Sequence, residues 1–198
     1  MSVERTAFID HIEKYLGAIQ HGWKTSPDGE PMKFQVIECL GGELAQARVF
    51  STLGLSDFPL RSAASDKLIR HELLIAVPDS FGHRNIPAVL QQLASDVLKR
   101  ESAYLRGEVV ERNNPIFSGK PFHAFYAAIP IILPEKFGTF LFGGGDQAVF
   151  VWMVPITKLE ASYVRSKGWS KFEALMEGHK ADLVDLDRPD YSQIATLT

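Results

Sequence analysis

A single cysteine, Cys39, stands among 198 residues. An internal disulfide is therefore impossible, and a thiolate zinc cluster is excluded with it. No apolar run reaches about 18 residues, so nothing reads as a membrane span. The first residues, "MSVERTAFIDHIEKYLGAIQ", carry charges throughout and offer neither an apolar core nor a cleavage signal of a secretory leader. Lysines and arginines are scattered, and the net charge is −3, which leaves no electrostatic footprint for DNA or RNA. The six histidines are dispersed, with no H-E-x-x-H spacing, so neither a metal nor a cofactor is expected. Repeats and low-complexity tracts are missing too. These absences point to a soluble, cytoplasmic protein that binds neither nucleic acid nor membrane.

What is present is apolar substance. Hydrophobic residues make up 45% and aromatics 11%, enough for a sizeable core in one domain spanning 1–198. Residues 3–20 place Phe8, Ile12, Tyr15, Leu16 and Ile19 on one helical stripe, with Ser2 as cap and Gly22 as stop. Strands are expected at 33–40, 43–53, 68–78, 107–110, 122–133 and 147–156, and a loop at 61–67. The unbroken apolar character from Leu73 marks 68–78 as central and buried. Residues 86–105 read as an amphipathic helix with Pro87 in its first turn and Leu90, Leu93, Val97 and Leu98 on its face. Thr157 and Glu160 have capping-box spacing, as do Ser170 and Glu173. Gly168, between the two helices they open, is expected in a left-handed conformation. The fold class is thus mixed α/β (α+β): one central, largely antiparallel sheet packed against helices.

The catalytic motifs fail one by one. "GLSDF", 54–58, lacks the second glycine of a nucleophile elbow, and no helix pattern follows, so Ser56-Asp57 reads as a turn. "FGGGDQ", 142–147, has neither the lysine nor the helix of a phosphate loop. The tail "DLVDLDRPD" lacks the glycine and terminal glutamate of a calcium loop and reads as a solvated acidic face. His71 and Glu72 are neighbours on a strand and point to opposite sides. Cys39 reads as a small core residue.

Four passages in order carry a resemblance: "STLGLSDFPL" at 51–60, "HELLIAVP" at 71–78, "PAVLQQLASDV" at 87–97 before "GEVV", and "VFVWMVPITKLEASYVRSKGWSKFEALM" at 149–176 closing on "DLDRPD". Over roughly 30–190 the chain resembles the suppressor of fused domain family. The resemblance implies a mixed α/β domain that acts by protein–protein contact rather than turnover. Animal members sequester a transcription factor in a cleft between two domains, whereas these residues are read as one. Stand-alone bacterial members act as immunity proteins that neutralise toxins. The expected partner is accordingly a protein, such as a toxin encoded nearby. The contact candidates are Asp57, Phe58 and Asp66 near the turn, with Asp185 and Asp187 in the tail; a basic partner would match the acids, and charge would speed encounter. The alternative is a hydrolase-like enzyme built from convergent acids or His71.

Overall fold

The structure is a computed structural model and describes residues 3–194. The chain runs α1 (Val3–Leu16), β1 (Gly17–Thr25), β2 (Pro31–Gly41), β3 (Ala47–Leu53), β4 (Leu60–Ser62), β5 (Ser65–Pro78), α2 (Ile86–Arg100), β6 (Val109–Glu111), β7 (Phe122–Ala128), β8 (Thr139–Leu141), β9 (Gln147–Thr157), α3 (Lys158–Lys167), α4 (Trp169–Gly178) and α5 (Tyr191–Ile194). One sheet takes the order β1-β2-β3-β5-β9-β7-β6, with β4 beside β5 and β8 beside β9. The β5–β9 pair, from Arg70 opposite Ala148 to Leu74 opposite Trp152, is parallel. The other pairs are antiparallel. Parallel neighbours need a crossover, and the segment from α2 to β8 supplies it.

Two cores share this sheet. On one face α1, α3 and α4 cover Phe8, Ile12, Leu74, Trp152, Val154 and Phe172. On the other α2 covers Phe50, Leu73, Ile75, Leu90, Leu93 and Met153. β5 and β9 feed both cores with alternate residues, which is why their sequences read as unbroken apolar runs. Cys39 is buried, and burial pushes its thiol up to about 12. Among the described residues no helix is long and apolar enough to cross a membrane.

Several expected boundaries move. The first helix ends at Leu16, not at Gly22, which lies inside β1. At Gly17 the chain crosses against β2 so closely that a Cβ would lie 2.0 Å from Leu40 O. The cap expected at Ser2 lies outside the described residues. The 61–67 loop contains a strand hairpin, β4 to β5. The expected strand 122–133 stops at Ala128, and the helix expected to 105 stops at Arg100. The Thr157 capping box forms as expected, with both reciprocal bonds. The Ser170 box does not: Gly168 occupies the cap position, and Glu173 turns to other partners. Gly168 has φ 88° but ψ 154°, so its positive φ is as expected while its ψ is extended, outside the left-handed helical region.

Candidate functional site

The "GLSD" turn is built around a buried carboxylate. Glu72 is fully buried and accepts from Thr52 Oγ1 (2.6 Å), Ser56 Oγ (2.7 Å) and the backbone N–H groups of Gly54 (2.9 Å), Leu55 (3.2 Å) and Ser56 (3.1 Å). Consecutive N–H groups converging on one anion form a nest. Burial pushes the Glu72 carboxyl above its ordinary range, and the hydrogen bonds from Thr52, Ser56 and the turn backbone pull it back down. Ser56 is itself buried and donates its hydroxyl to this carboxylate, so it shapes the turn and offers no open nucleophile. His71, which precedes Glu72 in β5, is also fully buried; it stacks on Tyr104 at 6.4 Å, and neither ring nitrogen has a hydrogen-bond partner among the described residues. Among the described residues, no three His, Cys, Asp or Glu side chains converge as metal ligands.

The five expected contact residues divide between two ends of the sheet. Asp57 is exposed and 3.6 Å from Arg5, and Phe58 is half-buried under the Lys33 ammonium at 5.7 Å. Asp66 is exposed at the β4–β5 hairpin. All three lie toward the N-terminal end of β5. Asp185 accepts from the Asp187 backbone N–H at 2.8 Å, and Asp187 pairs with Lys120 in the loop before β7. That loop leads into Phe122, opposite Thr157 at the C-terminal end of β9. Because β5 and β9 run parallel, the two groups sit at opposite ends of these strands.

A recessed groove of about 520 Å³ lies elsewhere, between the end of β7, α4 and the tail. Trp152, Phe172, Met176 and Ala128 form apolar walls, and Ala181 and Leu183 close one side. The chain after β7 supplies the rim: Ile129 is 49% exposed and Ile131 76%. Arg106, which also lines the groove, stacks over Trp169 at 4.5 Å; Trp169 lies outside the lining and is 42% exposed. Arg106 Nε donates to Glu173 Oε1 at 3.0 Å and its Nη2 to Oε2, while Tyr126 Oη donates to Glu173 Oε1 at 2.8 Å. Burial, and then the Glu173 partner, raise the Tyr126 phenol, so it stays a donor. The Glu173 bond is the main cause raising Arg106, so the guanidinium stays charged. This network ties α4 to the 105–108 turn and to β7. Its described lining holds no histidine, cysteine, serine or threonine. The arrangement can clasp an apolar side chain between aromatic walls.

The sequence does not reveal the groove: residues 129–133 read as strand and Glu173 as half of a capping box, whereas the structure makes Ile129, Ile131 and Glu173 part of the lining. The available signals were the isoleucines of "IPII" continuing past a proline and the lone Trp169 at a helix start.

Fold and site together define a mixed α/β scaffold with a recessed apolar groove. The family model of suppressor of fused protein (SUFU) matches residues 30–189, and the chain belongs to that family. Its fold is similar to the crystal structure of a protein assigned as a SUFU homolog from Neisseria gonorrhoeae FA 1090, with TM-score 0.74 at 19% identity, covering 95% of this chain and 96% of that one. It is also similar to a chain of the Sufu–Fu complex crystal structure, with TM-score 0.71 at 11% identity, covering 98% and 94%. No curated protein sequence matches.

Proposed function

We propose that this protein is a non-catalytic binding module of the immunity or antitoxin type, which neutralises a partner protein by occluding it. The groove carries the reading: aromatic Trp152 and Phe172, exposed Ile129 and Ile131, and Arg106, which stacks on the neighbouring Trp169. Binding hot spots have this composition, since aromatic and arginine anchors desolvate well and lose little entropy. Family membership supports it, because a chain with this fold occurs in the Sufu–Fu complex. The near end-to-end match with the Neisseria chain supports a single-domain mode of capture. Asp57 and Asp66 at one end of the sheet and Asp185 and Asp187 at the other would steer a basic partner by charge, and Phe58 would add an apolar contact beside Asp57.

Co-expression with the product of a neighbouring toxin gene, read as cell survival, tests this. Ser56→Ala and His71→Leu, in folded protein, should leave protection intact, and Ile131→Asp should abolish it. Protection lost with Ser56→Ala or His71→Leu alone would favour an enzyme.

A further inference from the structure

Two residues that line the groove also stand out from it. After β7 the chain makes two tight turns in succession. Ile131 N–H donates to Ile129 O at 2.8 Å, a γ-turn centred on buried Pro130, and Leu133 N–H donates to Pro130 O at 3.0 Å. The backbone, rather than side-chain packing, therefore holds Ile129 and Ile131 outward, and Ile131 is 76% exposed. Both side chains are branched at Cβ, so they lose little rotamer freedom when gripped. A recess and the knob that fits it thus lie on one face of one chain.

The charges of the lining match each other in the same way. Four charged side chains line the groove, and two of them, Arg106 and Glu173, are paired. The other two, Glu177 and Lys180, are exposed and enter no ion pair among the described residues. Glu177 lies in the last turn of α4, and Lys180 follows the end of that helix by two residues. A basic segment in the groove would match Glu177 and leave Lys180 facing like charge; an acidic segment would do the reverse. A second copy of this chain matches both. About a two-fold axis, residue i of one chain faces j of the other and j faces i, so a Glu177–Lys180 pair forms twice.

We propose that in the free protein the groove is occupied by a second copy of this chain, in a symmetric dimer. Ile129 and Ile131 of each copy enter the groove of the other, and Glu177 of each pairs with Lys180 of the other. The inference rests on the groove being the docking face proposed above, and it adds a means of regulation. Self-association covers the apolar recess until a captured partner displaces the second copy. Each side contributes one recess and one small knob, so the interface belongs among the small ones, which are transient.

Sedimentation velocity of the full chain alone, at low ionic strength and from about 1 to 300 μM, tests the proposal; that range brackets the affinity of a transient interface. A mass rising with concentration from monomer toward dimer is expected. Ile131→Asp should keep the chain monomeric throughout. Glu177→Lys and Lys180→Glu should each weaken the dimer about tenfold, because symmetry turns both ion pairs into repulsions. Mixing these two variants should restore association, since each supplies the charge that the other lacks. Both positions are exposed, so both variants should keep the native melting temperature. A monomer at every concentration, a dimer indifferent to Ile131→Asp, or single-variant losses that mixing does not recover would overturn the proposal. Its failure differs from failure of the docking reading. A monomeric chain that loses toxin capture with Ile131→Asp overturns the dimer alone. A dimer lost with Ile131→Asp while capture persists supports the dimer and overturns docking of the toxin in the groove.

Discussion

Arg188 donates from Nη1 to Glu160 Oε1 at 2.5 Å and from Nη2 to Oε2 at 2.8 Å, and both side chains are buried. Its Nη2 also reaches Pro155 O at 3.1 Å, tying the tail to the end of β9. Nothing local in "DLDRPD" reveals this, because the partner lies 28 residues upstream; the sequence shows acids, and the fold buries the one base between them. Arg188→Met would leave Glu160 buried and uncompensated, a loss of about 3–5 kcal/mol in urea titration. A change within about 0.5 kcal/mol would contradict the pairing. His71 makes a pH-dependent statement. Burial, and then the nearby Arg100 charge, lower its imidazole from 6.5 to about 3. Between those values the unfolded chain binds a proton that the folded chain refuses. Stability therefore falls as pH falls through that window, by up to about 1.4 kcal/mol per unit. Subtracting the His71→Leu stability curve from the wild-type curve should isolate that slope from other groups such as Glu72. Parallel curves between pH 6.5 and 3 would show that His71 is not sequestered.

Elements were legible where their signal is local. Thr157 and Glu160 cap α3 with bonds spanning three residues, and 147–156 is apolar because both of its faces are buried. Signals that depend on distant packing failed. Ile19 fits both a helical stripe and a strand, and only the crossing of Gly17 against Leu40 ends α1 where it does. Ser170 and Glu173 have capping spacing, but Arg106 and Tyr126, far away in sequence, draw Glu173 off the cap. Gly168 belongs to this scale as the hinge between α3 and α4. Its φ of 88° with ψ of 154° is a region open essentially to glycine alone. A Cβ there would meet nothing within 4 Å, so the cost of Gly168→Val is purely one of backbone conformation. A loss of about 1–3 kcal/mol in urea is expected. Unchanged stability would mean that the α3–α4 junction adopts another backbone at no cost.

The whole molecule is organised by β5 and β9, whose alternate side chains enter both cores. Neither core can open without stripping the strands that floor the other. We therefore expect a single cooperative transition, with far-UV circular dichroism and tryptophan fluorescence superimposing in urea. Trp152 reports on one core and Trp23 packs against the other, so separate melting would split the two signals. Two stable proteolytic fragments of similar size would also contradict it. The mixed sheet class was readable from periodicity, since alternation and apolar runs are written along each segment. The groove was not, because residues from Arg106 to Leu183 meet there only after β7, α4 and the tail have docked. The acidic residues that the sequence suggested as one patch lie at opposite ends of the sheet for the same reason.

Capture through that groove, without turnover, is tested most directly by calorimetric titration of the purified protein into the toxin proposed as its partner. Saturation at one to one is predicted, with both chains recovered chemically unchanged. Ile131→Asp should weaken affinity by about tenfold or more, because it sets a charge where an apolar contact was. Undiminished binding by folded Ile131→Asp, or modification of the partner by a small molar fraction of this protein, would contradict the account.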